Sequence, residues 1–231
     1  MSAVAEAIFC HVCKTVMYER DGGVACIKIK CPEYGILKTP ENILDDIKAF
    51  PKMEPEYVAK MMHWVPEGKV VNRVLYILER CKGKRVLNLG SASGELHKAI
   101  VAVAQSVIGV DKDEPADLIV DLDRQPYAIG QPAVDVIVAG EILEHLANPG
   151  SLLKALRILK RPLIITAPNA AATGLGYFMS RGYENVNPDH VAWYSYHTLK
   201  TLLGRYQFEI EDFAWYHGKP RLAEGLIITA R

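Results

Sequence analysis

The fold is decided by one stretch, Arg85-Val-Leu-Asn-Leu-Gly-Ser-Ala-Ser-Gly-Glu95. Val86 to Leu89 are apolar apart from Asn88, which predicts a short buried strand; small residues follow, and then a helical pattern begins. A strand that turns tightly into a helix exposes backbone N–H groups at the helix start, and glycine there lets a ligand approach the chain closely. We therefore expect a cofactor-binding turn, with a tight turn that binds nothing as the alternative.

The spacing of small residues in this turn distinguishes between two cofactors. A dinucleotide site requires G-x-G-x-x-G, but the glycines here fall only at Gly90 and Gly94, and Glu95 would repel a pyrophosphate. The stretch instead resembles the class I S-adenosylmethionine (SAM) methyltransferases, whose motif runs hydrophobic, hydrophobic, Asp, hydrophobic, Gly-x-Gly-x-Gly. Asn88 departs from that motif at the acidic position, and Ala92 departs from it at the middle glycine. The resemblance implies that SAM is bound by Gly90, Ser91, Ser93 and Gly94.

Composition restricts the class of protein. The 231 residues carry 27 Lys and Arg against 27 Asp and Glu, so net charge provides no general attraction for nucleic acid or an anionic membrane. No run of 18 apolar residues occurs, and the first residues lack the basic start of a signal peptide. We expect a soluble, cytoplasmic protein that does not bind membranes, with five cysteines as thiols or metal ligands rather than disulfides. The oligomeric state is left open.

The first fifty residues contain two cysteine-bearing segments around a predicted β-hairpin. Cys10-His-Val-Cys13 precedes the hairpin, whose turn is Asp21-Gly22-Gly23, and Cys31-Pro-Glu-Tyr-Gly35 follows it. This layout resembles a zinc ribbon in which Tyr34 has replaced the fourth cysteine. Two alternatives are open: zinc bound by Cys10, Cys13 and Cys31 with a further ligand, or a metal-free hairpin.

The rest of the chain alternates strands and helices, which predicts a parallel, doubly wound α/β sheet. We expect three domains or segments: a ribbon-like hairpin with a short helix over 1–50, a linker and helix over 51–67, and a SAM-dependent methyltransferase domain over 68–231. A helix is predicted from Lys69 to Cys81, and a terminal antiparallel hairpin resembles the ending of the methyltransferases. The predicted fold is thus a mostly parallel, Rossmann-like sheet of seven strands with a small N-terminal appendage.

Polar residues follow the predicted strands, at the edge where ligands bind in such sheets. Asp111 ends the second strand, where a carboxylate can accept both ribose hydroxyls, and Lys112 adjoins it. The resemblance implies that Asp121 and the N–H of Leu122 hold the adenine. Glu141 follows the fourth strand and is expected to line the SAM site.

The segment Glu141-Ile-Leu-Glu144-His145 carries the candidate chemistry, because the i, i+3 and i+4 spacing predicts that its polar residues share one helical turn. It resembles the E-x-x-E-H of ubiquinone-pathway O-methyltransferases and of small-RNA 2′-O-methyltransferases. That resemblance implies a divalent metal, Mg²⁺ or another, bound by Glu144, His145 and His190. The alternative is a metal-free site in which Glu141 lines the pocket and His145 packs.

Methyl transfer to oxygen requires a proton acceptor, and His190 is the candidate base, with Glu141 and His145 as further catalytic candidates. The predicted function is SAM-dependent O-methylation of a small hydroxylated acceptor. Two rival functions are open: RNA 2′-O-methylation with a divalent metal, which neutral charge disfavours, and a partner-binding module without catalysis.

Overall fold

The computed structural model describes residues 17–20, 23–26, 37–38, 63–91, 94–179 and 181–231. The chain divides between Trp64 and Val65 into two compact units. Within the described residues, no helix has the length and apolar character needed to cross a membrane.

The first unit contains a small antiparallel sheet. Strand β1 (Met17–Arg20) pairs with β2 (Gly23–Cys26) so that Met17 faces Cys26, and β3 (Leu37–Lys38) pairs with the other side of β2. The antiparallel pairing predicted for the two strands of this hairpin is therefore observed, whereas Asp21 and Gly22 of its turn lie outside the described residues. Cys10, Cys13 and Cys31 lie outside the described residues, so zinc binding stays a prediction.

The second unit is built on one eight-stranded sheet with helices on both faces, which confirms the doubly wound α/β prediction. Its strand order is β4-β10-β11-β9-β8-β5-β6-β7, and all neighbours are parallel except β11, which is antiparallel to both β10 and β9. The strands are β4 (Lys69–Val71), β5 (Arg85–Leu89), β6 (Ser106–Asp111), β7 (Leu118–Ile119), β8 (Val136–Gly140), β9 (Leu163–Pro168), β10 (Ile210–Tyr216) and β11 (Gly225–Ala230). The helices are α1 (Arg73–Cys81), α2 (Glu95–Val103), α3 (Pro149–Leu159), α4 (Thr173–Met179) and α5 (Tyr196–Arg205), with 3₁₀ turns at Pro126–Ile129 and Leu143–His145.

Alternate residues of the central strands build two separate cores, because successive side chains of a strand point to opposite faces. Leu87 of β5 and Ile137 of β8 pack with Leu152 of α3 and Leu203 of α5 on one face. On the other face, Val86, Val136, Val138 and Ile164 pack with Ile77 of α1 and Ile100 of α2. Burial on both faces explains why β8, β9 and β11 are continuously apolar rather than alternating.

The sheet has eight strands rather than the predicted seven, and the additional strand also corrects the predicted start of a helix. Lys69–Val71, expected to begin a helix, forms β4, with Val70 beside Trp215 of β10, and helix α1 begins only at Arg73 after the Asn72 cap. The helical spacing also predicts one apolar face formed by Val70, Val74, Leu75 and Leu78. This face is not observed, since Val70 lies in β4 and Leu75 is 60% exposed. Pairing with a strand distant in sequence outweighs the local helical spacing at Val70.

The directions of the strands determine where a ligand can bind. Because β4, β10, β9, β8, β5, β6 and β7 all run in the same direction, their carboxyl ends meet at one edge of the sheet. Gly90 follows β5, Asp111 ends β6 and Glu141 follows β8 at this edge. Ligands of doubly wound sheets bind outside the carboxyl ends, so this edge is the candidate site.

Candidate cofactor and catalytic site

A cleft of about 750 Å³ opens at the carboxyl edge of the sheet, a volume in the range of small-molecule sites. Seven of the residues predicted from sequence line it: Gly90, Asp111, Lys112, Asp121, Leu122, Glu141 and His145. The other residues that line it are Val120, Asp123, Arg124, Ile142, Leu146, Pro188, Asp189 and Val191. Ser91, Gly94, Glu144 and His190 are described but do not line the cleft, and Ser93 lies outside the described residues.

Gly90 sits where a side chain has no space. Its φ is +65°, and its N–H donates to the Val110 carbonyl over 2.8 Å. A methyl group at Gly90 would overlap Cδ1 of Ile142, so the Ile142 side chain lies directly against the glycine backbone. The turn after β5 therefore requires glycine at position 90, and the Ile142 side chain packs against it.

The Ser91 side chain lies against β6 and the Asn88 side chain lies against α2, and neither residue lines the cleft. Ser91 is buried, its Oγ has no hydrogen-bond partner, and a Cβ at Gly109 would lie only 2.7 Å from that Oγ, so the hydroxyl points towards β6. Asn88, which replaces the acid of the family motif, lies with Nδ2 3.1 Å from Nδ1 of His97 on α2. Gly94 is the N-cap of α2. Side-chain binding by Ser91 stays a prediction that this orientation does not favour.

Two of the aspartates that line the cleft, Asp111 and Asp121, are fixed by backbone hydrogen bonds. Oδ1 of Asp111 accepts from the N–H of Lys112 at 2.8 Å. Oδ1 of Asp121 accepts from the N–H groups of Asp123 and Arg124 at 3.0 and 3.1 Å. Each carboxylate is therefore oriented by the turn that follows its strand, at the same edge of the sheet.

Glu141 does not share a helical turn with Glu144 and His145, which corrects the i, i+3, i+4 prediction. Its φ is +55°, and the 3₁₀ turn covers only Leu143–His145. Oε1 of Glu141 accepts from Thr166 Oγ1 at 2.7 Å and from the Tyr216 hydroxyl at 2.8 Å. The residue leaves β8 in a left-handed conformation and turns its carboxylate towards β9 and β10.

Glu144, His145 and His190 form a cluster beside the cleft, with one ligand atom from each within 4.8 Å of the others. Glu144 is fully buried and neither carboxylate oxygen has a hydrogen-bond partner. Burial, followed by the charge of Glu141, raises the Glu144 pKa to about 8. A buried carboxyl group without hydrogen-bond partners is unusual, because its charge is stabilised only by a bound proton or by a cation held beside it.

His190 packs edge-to-face against His145, with ring centroids 4.6 Å apart, and its Nδ1 is buried without a partner. Burial, and then the neighbouring His145, lower the His190 pKa, so the ring is a neutral acceptor over a wider pH range. The Glu144 carbonyl accepts from the N–H groups of Val191 and Ala192 at 2.8 and 3.2 Å. These bonds hold the loop that bears His190 against the 3₁₀ turn.

Sequence reasoning missed three residues of this region. Ile142 lies between the polar residues of the motif but gave no signal of its contact with Gly90. Arg73 and Tyr216 reach Glu141 from α1 and β10, with Arg73 Nη1 3.4 Å from Glu141 Oε1. Tyr216 directly follows the strand expected over 206–215, but that position gave no signal of its contact with Glu141.

Comparison with known proteins agrees with this geometry. Residues 61–212 match a family model described as a methyltransferase domain. The chain belongs to this family, which confirms the resemblance to class I SAM-dependent methyltransferases.

Two curated relatives and one solved structure extend the comparison. A Mycolicibacterium smegmatis protein named "Probable S-adenosylmethionine-dependent methyltransferase" is 28% identical over 70% of this chain and 65% of its own length. The ubiquinone biosynthesis O-methyltransferase of Thiobacillus denitrificans is 30% identical over 35% of this chain and 41% of its own length. The chain thus spans less than two thirds of each. A SAM-dependent methyltransferase from Archaeoglobus fulgidus, 16% identical with a TM-score of 0.56 over 68% of this chain and 90% of that one, shares the fold.

Proposed function

We propose that this protein is a SAM-dependent methyltransferase that O-methylates a small hydroxylated acceptor. One observation carries the proposal: Gly90, Asp111 and Asp121, which follow three separate strands, line the same cleft as His145. The family match supports methyl transfer, and the relative named as a ubiquinone biosynthesis O-methyltransferase supports oxygen as the acceptor atom.

The residues of the cleft suit an adenosyl ligand. Gly90 presents no side chain, so a ligand can approach its backbone closely. The Asp111 carboxylate, with Lys112 beside it, would accept hydrogen bonds from the ribose hydroxyls. Asp121 and the N–H of Leu122 would bind the adenine. Bound SAM supplies a methyl group already activated on a sulfonium, so these residues need only orient it towards the acceptor.

The acceptor hydroxyl must lose its proton. We propose that the base that accepts this proton is either His190 or His145, whose rings contact each other. His190 suits the role because burial lowers its pKa and leaves it neutral. His145 lines the cleft itself, and its ring contacts that of His190. Glu141 lies at the same edge and would contact the ligand as an acceptor of hydrogen bonds.

A second candidate is metal-assisted O-methylation. It is favoured by Glu144, whose two oxygens are buried without partners beside His145 and His190. A divalent ion there would be held by these three residues and would polarise a hydroxyl of the acceptor. An RNA substrate is disfavoured, because the cleft is lined by Asp111, Asp121, Asp123, Glu141 and Asp189 against only Lys112 and Arg124.

Calorimetry with SAM and with its product S-adenosylhomocysteine tests the proposal. We expect both ligands to bind the folded protein at one site. In an activity assay, we expect S-adenosylhomocysteine to be formed from SAM when a hydroxylated small molecule is added, but not when an RNA oligonucleotide is added. Absence of binding by either nucleoside in folded protein would leave the enzymatic proposal without support.

A parallel titration with Mg²⁺ and Mn²⁺, with Glu144→Gln as the comparison, separates the metal-free from the metal-assisted mechanism. Metal binding that is lost in Glu144→Gln supports the metal-assisted form. Full turnover after chelation with EDTA contradicts it.

A further inference from the structure

Two hydrogen-bond donors and one cation, each from a separate element, converge on a single oxygen of Glu141. Thr166 Oγ1 donates to Oε1 over 2.7 Å, the Tyr216 hydroxyl donates over 2.8 Å, and Arg73 Nη1 lies 3.4 Å from the same atom. None of the described residues hydrogen-bonds the other oxygen, Oε2, although Glu141 lines the cleft. The carboxylate is thus anchored through one oxygen and has the other available.

The eighth strand of the sheet explains how Arg73 comes to this position. Strand β4 pairs in parallel with β10, so the chain leaves β4 at the carboxyl edge, and Arg73 is the first residue of the helix that follows. Tyr216 is the last residue of β10 at the same edge. Both Arg73 and Tyr216 therefore come from elements far in sequence from Glu141 but adjacent to it in the fold.

Packing fixes the Tyr216 ring independently of its hydroxyl. The ring lies on Gly225 of β11, where any side chain would overlap it, and the Arg73 guanidinium carbon lies 5.5 Å from the ring centroid. Burial, and then the charge of Glu141, raise the Tyr216 pKa well above its usual range, so the phenol stays protonated and acts only as a donor.

We propose that Arg73 and Tyr216 are positioning residues that hold Glu141 so that Oε2 accepts hydrogen bonds from the ammonium group of the amino-acid portion of the ligand. This inference rests on the proposed function, because it assumes an adenosyl amino acid in the cleft. Glu141 makes the contact, and Arg73 and Tyr216 act through it. A carboxylate held by fixed donors loses little side-chain freedom on binding, which favours affinity.

The chain supplies a matched pair of control residues. Tyr76, also buried in the sheet region, has its hydroxyl 2.7 Å from Asp212 Oδ2 and 3.0 Å from Thr229 Oγ1. Arg80, on the same helix as Arg73, forms an ion pair with Asp212 and stacks over the Tyr76 ring. This second Arg–Tyr–carboxylate arrangement is away from the cleft lining, so its loss reports structural effects alone.

The experiment compares two ligands that differ only in the amino-acid portion. Binding of S-adenosylhomocysteine, which carries the ammonium, and of 5′-methylthioadenosine, which lacks it, is measured by calorimetry or by competition in wild-type protein and four variants. We expect Tyr216→Phe and Arg73→Gln to weaken binding of S-adenosylhomocysteine about tenfold, as expected for loss of an oriented hydrogen bond to a charged group. The affinity of these two variants for methylthioadenosine should stay within twofold of the wild-type value. The control variants Tyr76→Phe and Arg80→Gln should bind both ligands with wild-type affinity.

The possible outcomes separate this inference from the function on which it rests. An equal loss for both ligands in Tyr216→Phe indicates a general structural effect and overturns the positioning role, as does unchanged affinity for both. In either case the wild-type protein still binds, and the proposed function survives. If wild-type protein binds neither ligand, the proposed function fails, and the inference fails with it.

Discussion

Two features of Gly90 disfavour any other residue at this position. Its φ is positive, in the left-handed region, and the Ile142 side chain fills the space that a Cβ would occupy. Gly90→Ala should therefore combine the backbone cost of alanine at positive φ, about 1–2 kcal/mol, with an overpacking cost of about 1–3 kcal/mol. Gly83→Ala is the control, since Gly83 has φ +66° with open space around it. Urea unfolding should show a larger loss of stability for Gly90→Ala, and equal losses would mean that Ile142 moves aside without cost.

Asp111 is the residue on which cofactor affinity should depend most directly. Asp111→Ala removes the proposed acceptor of the ribose hydroxyls, so we expect S-adenosylhomocysteine binding to weaken at least tenfold, or about 1.4 kcal/mol, without loss of the fold. Asp113, exposed in the same turn and outside the cleft lining, is the control, and Asp113→Ala should bind normally. Calorimetry gives both affinities; unchanged binding by Asp111→Ala would remove this residue from the site.

The 3₁₀ turn Leu143–His145 buries an ionisable group, and this predicts a pH dependence of stability. The Glu144 pKa is about 8 in the fold against an ordinary value of 4.5, because burial disfavours the charged form. The folded protein therefore retains a proton that the unfolded chain releases. The stabilisation is fully present below about pH 4.5 and is lost as the pH rises towards 8, at no more than about 1.4 kcal/mol per pH unit.

Glu144→Gln cannot titrate, so in metal-free protein its stability should decline less than that of the wild type between pH 5 and 8. Urea unfolding at several pH values in the presence of EDTA provides the measurement. Glu79→Gln, a change of the same chemistry at an exposed position of α1, should follow the wild-type curve. Parallel curves for wild type and Glu144→Gln would show that Glu144 is already ionised in the fold.

The sequence was sufficient for most elements because their signals are local. Strands β8, β9 and β11 are almost continuously apolar, so their type could be predicted from sequence. Their ends were less certain: the pattern predicts a strand over 162–166, whereas β9 spans Leu163–Pro168. β4 was missed because three residues carry almost no periodicity, and its pairing with β10 is not visible in local sequence. The left-handed Glu141 was missed for a related reason, since helical spacing cannot reveal a φ that tertiary contacts impose.

The candidate site shows the same division between local and distant information. Residues at or just beyond the ends of strands, such as Gly90, Asp111 and Asp121, could be predicted to line a cleft because parallel strands end at one edge. Ile142, Arg73 and Tyr216 could not, because their importance comes from contacts with residues elsewhere in the chain. The contacts around Glu141 can therefore be identified only from the three-dimensional structure, whereas the positions of the cleft carboxylates could be predicted from the order and direction of the strands.

For the whole molecule, every residue lining the cleft belongs to the unit of residues 65–231. This unit also includes the segment before the first core strand: the Trp215 indole donates to the Glu67 carbonyl over 2.7 Å, and Arg221 Nε donates to the Val65 carbonyl over 3.0 Å. Residues 65–231 expressed alone should therefore unfold cooperatively and bind S-adenosylhomocysteine within about threefold of the full chain, a difference of under 1 kcal/mol.

A shorter fragment, residues 72–231, tests the contribution of β4. It lacks the partner strand of β10 and both hydrogen bonds from Trp215 and Arg221 to the preceding segment. Its unpaired β10 edge should promote aggregation, and its Tm should fall by several degrees, about 2–4 °C for each kcal/mol lost in a domain of this size. Arg73 would also lose its anchor beside the sheet, so binding of S-adenosylhomocysteine should weaken in this fragment but not in residues 65–231. Equal stability and affinity of the two fragments would mean that the eighth strand is dispensable for both the fold and the site.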